Sequence, residues 1–137
     1  MKLSIVIPCF NKFNFTKSCL NDLSKLPDNH EIIIIDNASS DDTKTLESND
    51  RVRYFRFDEN KGFAAAVNKG YQLSTSDNVL FLNNDIRVKS NHENWTNDII
   101  KNCEFGLVGP TMGQLDSNLQ FVQEANRSLP GNSYMSG

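Results

Sequence analysis

Glu31-Ile32-Ile33-Ile34-Ile35-Asp36 is an unbroken apolar run that stops at a carboxylate. Alternating apolar and polar residues would mark a strand with one face in water. A continuous β-branched run marks a strand buried on both faces, as in a parallel sheet covered by helices. The same pattern recurs on either side. Ile5-Val6-Ile7 is a second apolar run, ended by Pro8 and followed by Asn11. Residues 52–57 form a third, with Tyr54 alternating against Phe55 and Phe57, and give way to Asp58-Glu59-Asn60; residues 78–82 form a fourth and empty into Asn83-Asn84-Asp85. Strands that all run out into polar clusters are expected where the carboxyl edge of a parallel sheet forms a ligand crevice.

Between the strands the period changes. Phe15, Cys19, Leu20, Leu23 and Leu26 recur at helical spacing, and Pro27 closes that segment. Asn37-Ala38-Ser39-Ser40-Asp41-Asp42-Thr43 is rich in capping residues and leads into a short helix. Gly62 opens Phe63-Ala64-Ala65-Ala66-Val67-Asn68-Lys69-Gly70-Tyr71, whose alanines favour a helix able to approach the sheet closely. Trp95, Ile99, Ile100 and Cys103 mark a further helix before a strand over residues 105–108, and residues 115–122 read as a hairpin around Asp116-Ser117-Asn118. The alternation predicts an α/β fold: three layers, α/β/α, around a mostly parallel sheet with right-handed crossovers, residues 1–137 forming a single domain.

Composition narrows the function. With 137 residues, 38% hydrophobic and 23% charged, the chain is globular but small for an enzyme holding two substrates. A net charge of -3 leaves no basic footprint, which disfavours nucleic acid as a partner. Cys9, Cys19 and Cys103 show no zinc-type spacing, and their odd number argues against a disulfide framework and for a reducing compartment. Cys19 and Cys103 fit apolar helix faces, whereas Cys9, just after the first strand, is placed to line a site. His30 and His92 fall in predicted loops and are expected at the surface. No run approaches the ~20 apolar residues of a membrane-spanning helix. The place after the first strand reads Pro8-Cys9-Phe10-Asn11-Lys12-Phe13, without the Gly-x-Gly-x-x-Gly of a dinucleotide fold, and there is no Walker loop. A nucleotidyltransferase, which carries a glycine-rich loop there, is disfavoured for the same reason.

Four segments in series carry a family resemblance: Ser4-Ile5-Val6-Ile7-Pro8-Cys9-Phe10-Asn11; Asp36-Asn37-Ala38-Ser39-Ser40-Asp41-Asp42-Thr43; Asn60-Lys61-Gly62-Phe63-Ala64 with Asn68-Lys69-Gly70; and Leu82-Asn83-Asn84-Asp85. Together they resemble the family 2 glycosyltransferases of GT-A fold, in particular a rhamnosyltransferase-like branch. The resemblance implies a donor site for a nucleotide-diphosphate sugar, with UDP- or dTDP-sugars favoured and guanine not excluded. It places Pro8, Cys9 and Asn11 at the nucleotide wall and Asp36 on the base, where a carboxylate accepts a ring N–H. Asn60, Lys61 and Gly62 make a third wall, Gly62 through its backbone freedom, and Asn68 either faces the site or solvent. Asn83-Asn84-Asp85 takes the place of the family's Asp-x-Asp, with asparagine for the first aspartate. The resemblance thus gives Asp85 to a divalent cation, Mn2+ or Mg2+, and brings Asn83 and Asn84 to the nucleotide or to cation-bound water.

The family works with inversion and takes its general base from an acceptor-binding segment. Asp116 and Glu124 do not match that base, which is expected beyond Gly137. The expectation is therefore a donor-binding half, truncated before the acceptor segment, serving transfer to a glycan, polysaccharide or lipid-linked acceptor in the cytoplasm or peripherally at the inner face of a membrane. The alternative is a nucleotide-sugar-binding module without catalysis.

Overall fold

In a computed structural model the described residues are 2–27, 29–88, 95–102, 113–115 and 121–124. They belong to two compact units, residues 1–104 and 105–137. The first contains β1 (Ser4–Cys9), α1 (Phe13–Leu23), β2 (Glu31–Asp36), β3 (Val52–Arg56), α2 (Phe63–Leu73), β4 (Val79–Phe81) and α3 (Trp95–Asn102), with a 3₁₀ turn at Asp42–Thr45. The second contains β5 (Gly113–Leu115) and β6 (Phe121–Glu124), paired antiparallel with an irregularity at Gln114/Leu115. These strands flank the turn expected at 116–118. The strand expected over residues 105–108, together with Cys103, His92 and Asp116, lies outside the described residues.

The four strands of the first unit form one parallel sheet in the order β3-β2-β1-β4. Its middle strands are buried on both faces, as the isoleucine run requires. Ile5, Ile7, Ile32 and Ile34 pack with Cys19 and Leu23 of α1 and with Ile100 of α3. Val6, Ile33 and Ile35 pack on the other face against Ala66 of α2. Gly70 lets α2 come close: a Cβ there would sit 2.1 Å from Val6 Cγ1. Phe55 of β3 and Phe57 just after it share the α2 face and meet edge to face at 5.4 Å, while Tyr54 points to the α1 side.

Three local expectations are corrected. Pro8 does not end β1, which continues through it to Cys9. Along β1 the N–H of Ser4 and the C=O of Val6 bond towards β4, so the next group aimed that way is the nitrogen of Pro8. Proline has no N–H to donate there, and β4 has already left the sheet at Phe81, so the strand keeps its pairing with β2 alone. Phe15 is 52% exposed rather than buried, because α1 turns Thr16, Cys19 and Leu23 inward; Lys12 Nζ lies 5.9 Å from the Phe15 ring. His30 is buried, not superficial. Its Nδ1 has no hydrogen-bond partner among the described residues, and burial together with the nearby Arg51 lowers its pKa.

Candidate functional site

In the order β3-β2-β1-β4, the chain steps outward from β1 to β2 and β3 and then crosses back through α2 to place β4 on the other side of β1, so the crevice between the carboxyl ends of β1 and β4 is where the strand order reverses and such sheets bind ligands. A cleft of about 410 Å³ lies there. Pro8, Cys9, Phe10 and Lys12 line it from the end of β1, and Asn37 from the end of β2. Asn60, Gly62, Phe63 and Ala66 come from the approach to α2 and its first turn, and Asn83 and Asn84 from the end of β4.

Hydrogen bonds between loops hold these walls. Asn11 and Lys12 both adopt left-handed backbone, φ 57° and 62°. Asn11 Oδ1 is thereby aimed at the second loop, accepting the Ser40 N–H at 2.8 Å, while its own N–H donates to Ser39 Oγ at 2.7 Å. Asp41 answers in the opposite direction, accepting the Phe13 N–H at 2.8 Å and the Thr43 N–H at 3.0 Å. Asn37 reaches the third loop. Its Oδ1 accepts the Lys61 N–H at 2.8 Å and its Nδ2 donates to Asn60 Oδ1 at 2.7 Å. The fourth wall is tied to α1: Asn84 Nδ2 donates to Thr16 Oγ1 at 3.0 Å, and buried Asp22 accepts from Arg87 Nε at 2.7 Å and from the Val88 N–H at 3.1 Å. Asp85 sits between those two attachments.

Asp36 has no exposed surface and does not line the cleft. Its Oδ1 accepts the Ser39 N–H at 2.8 Å; its Oδ2 accepts the Tyr54 hydroxyl at 2.6 Å and a guanidinium N–H of Arg56. Burial pushes its carboxyl up, but the bonds from Ser39, Tyr54 and Arg56 outweigh it and hold the group below the usual carboxylate range. In this arrangement a ring N–H reaches Asp36 only if residues 37–39 shift. Asn11 is likewise spent on loop 39–41 rather than aimed at the cleft. Lys61 turns its Nζ to the Phe57 ring, 5.4 Å away, and is not a lining residue. Cys9 does line the cleft, but burial first, and then Asp36 and Asp41, push its thiol up to about 12, so it is protonated and inert at neutral pH.

The glycine expectation is met at Gly62, with φ 83° and ψ 167°, a region open almost solely to glycine. It begins α2 with no side-chain cap and no acidic residue in the first turn, which leaves the positive helix end facing the cleft. Phe10, Lys12, Asn37, Phe63 and Ala66 were not anticipated as lining residues. Two of them carry a readable signal, since Phe10 and Phe63 are aromatic residues directly beside the polar ends of the first and third strand-following segments, and they are 48% and 62% exposed.

Among the described residues no group of three or more His, Cys, Asp or Glu side chains converges on a cation site. Asp85 is exposed, directly follows the lining residues Asn83 and Asn84, and has no ion pair among the described residues. One carboxylate with amide oxygens beside it suits a hard cation only when a ligand such as a diphosphate supplies the remaining oxygens.

Residues 4–95 match the family described as Glycosyl transferase family 2. The chain belongs to that family. An uncharacterized glycosyltransferase of Rickettsia felis is 36% identical over 89 residues, which is 61% of this chain and 15% of that protein. The family 2 chain therefore spans a small part of this relative's length. Its fold is that of GT-A glycosyltransferases. It resembles S. aureus TarS 1-349 in complex with UDP-GlcNAc with a TM-score of 0.64 at 20% identity, over 77% of this chain and 32% of that one. The mannosyltransferase PcManGT of Pyrobaculum calidifontis, in complex with GDP-Man and Mn2+, gives 0.61 at 20% identity, over 81% and 33%. No described helix is long and apolar enough to cross a membrane.

Proposed function

We propose that this family 2 chain is the donor-binding part of a glycosyltransferase, holding a nucleotide-diphosphate sugar in the β1–β4 crevice with a divalent cation on Asp85. The observation that supports this most is the placement of Asn83 and Asn84 in the same cleft as the uncapped first turn of α2, with Asp85 next in sequence. A pyrophosphate there meets helix-end N–H groups on one side and a cation anchor on the other. Bound there, Mn2+ or Mg2+ would neutralise charge on the departing diphosphate. The chain's own groups do the rest: Phe10 and Phe63 offer faces for a flat base, Asn60 shapes the third wall through its bonds to Asn37 and Gly62, and Lys12 places a cation at the rim. Asp36 contributes by holding loop 37–39 and Arg56 in place, and meets the base directly only if that loop moves.

In the same reading the donor is a UDP- or dTDP-sugar and the branch is rhamnosyltransferase-like, on the strength of the four sequence segments. The transfer inverts the sugar carbon and builds a surface glycan or polysaccharide on the cytoplasmic side of a membrane. The base that deprotonates the acceptor comes from outside these residues, so the 137 residues bind donor and transfer poorly. Titration calorimetry with UDP, dTDP and GDP, with and without Mn2+, tests the proposal. Cation-dependent binding of at least one is expected. Folded protein that binds none of them in either condition would reject the donor site.

A further inference from the structure

Among the described residues, one side chain makes the hydrogen bonds that tie residues 58–62 of the cleft wall to the strand ends, while the preceding Phe57 N–H is held by the Asp36 carbonyl. Among the described residues, the hydrogen bonds that join this loop to β1 and β2 all end on Asn37. Its amide is used at both ends, Oδ1 accepting from Lys61 N–H and Nδ2 donating to Asn60 Oδ1, which itself accepts the Gly62 N–H at 3.0 Å. Its own backbone N–H donates to the Cys9 carbonyl at 2.9 Å, so it joins the ends of β1 and β2 to the start of α2. Asn37 is 5% exposed, while the residues it holds, 58–63, are all exposed and have little packing to fix them.

We infer that Asn37 is a positioning residue for donor binding: it sets the distance between the β1 rim and the first turn of α2, and so the width of the cleft at Gly62 and Phe63. This rests on the donor-site reading above. A primary amide is required because it alone combines an acceptor and a donor at this length. Aspartate would keep the bond to Lys61 but set a carboxylate oxygen against Asn60 Oδ1, and alanine would lose both.

The test uses the whole chain as wild type, Asn37→Asp, Asn37→Ala, Asn60→Ala and the double variant Asn37→Ala/Asn60→Ala. Amide exchange at Lys61 and Gly62 is followed by NMR, and affinity for UDP is measured with Mn2+. The expected result is loss of Lys61 protection in Asn37→Ala but not in Asn37→Asp, with binding weakened roughly tenfold in both. The double variant should bind no worse than Asn37→Ala, because Asn60 acts through Asn37. Unchanged affinity in a folded Asn37→Ala protein, or losses that add in the double variant, would overturn the inference. Should Asn37→Ala not fold, Asn37→Asp carries the affinity test. If the wild type binds no nucleoside diphosphate, the donor-site reading falls, and a Lys61 amide still protected in Asn37→Ala separately rejects the latch.

Discussion

Strand β2 carries a carboxylate at each end, and the two ends of the sheet treat them alike while differing in everything around them. At the amino end, Glu31 accepts from Ser4 Oγ, from the Thr75 N–H and from Thr75 Oγ1, and pairs with Lys2 and Arg53. At the carboxyl end, Asp36 accepts from Ser39, Tyr54 and Arg56. Burial raises both carboxyls, and the bonds they accept more than reverse it, leaving both below the ordinary range. The difference lies beside them. The groups around Glu31 bond to one another, whereas beyond Asp36 the side chains of the lining residues Asn83 and Phe63 and of the neighbouring Asp85 have no protein partner among those described. A saturated carboxylate therefore marks scaffold at either end, and the groups left over mark the site.

Replacing the two carboxylates separately should break the symmetry most visibly. Asp36→Asn leaves the half-buried Tyr54 hydroxyl and Arg56 short of an acceptor, with a stability loss of about 1–3 kcal/mol and loss of nucleotide binding as loop 37–39 loosens. Glu31→Gln should lower the melting temperature yet leave nucleotide affinity unchanged. Equal effects on affinity would refute the distinction. Gly70→Ala sharpens it from the middle of the sheet: the added methyl meets Val6, and such overpacking costs about 1–3 kcal/mol. Denaturant titration should show that loss with no change in Lys61 amide protection. Ala38 lies in loop 37–39 with φ 63°, a left-handed conformation unfavourable for alanine. Ala38→Gly should raise stability by about 0.5–1 kcal/mol, the relief of strain being partly offset by glycine's greater freedom when unfolded.

The smallest effect belongs to His30, near the amino end. Its pKa is lowered in the folded chain, so the unfolded chain binds more protons as pH falls through about 6.5. The stability it protects is complete above that pH and declines below it towards the folded pKa. Thermal melts between pH 7.5 and 5 should show this decline in the wild type and a flatter profile in His30→Leu.

Much of this architecture was readable because buried parallel strands write themselves as uninterrupted apolar runs: Ile32 to Ile35 left little alternative. The phase of α1 was less legible, since Phe15 is as apolar as any core residue, and only packing against Ile5 and Ile7 decides that Thr16 turns inward. Pro8 looked like a stop because a single sequence does not show that its missing N–H points where no strand remains. His30 looked superficial because it lies in a loop. In the site, the residues at strand ends were visible from their position, and Gly62 from its chemistry. The sealing of Asp36 was not, because Tyr54 and Arg56 lie 18 and 20 residues further along and reach it only through the register of β2 with β3. Asn37 was hidden for a similar reason: an asparagine after a strand reads as a cap, and its second partner is 23 residues away.

The most direct measurement is a crystal structure grown with UDP and Mn2+. The account predicts pyrophosphate between Asn83-Asn84 and the first turn of α2, manganese on the Asp85 carboxylate, and the base against Phe10 or Phe63. Ligand bound elsewhere, with Asp85 carrying no metal and the β1–β4 crevice filled by solvent, would contradict it.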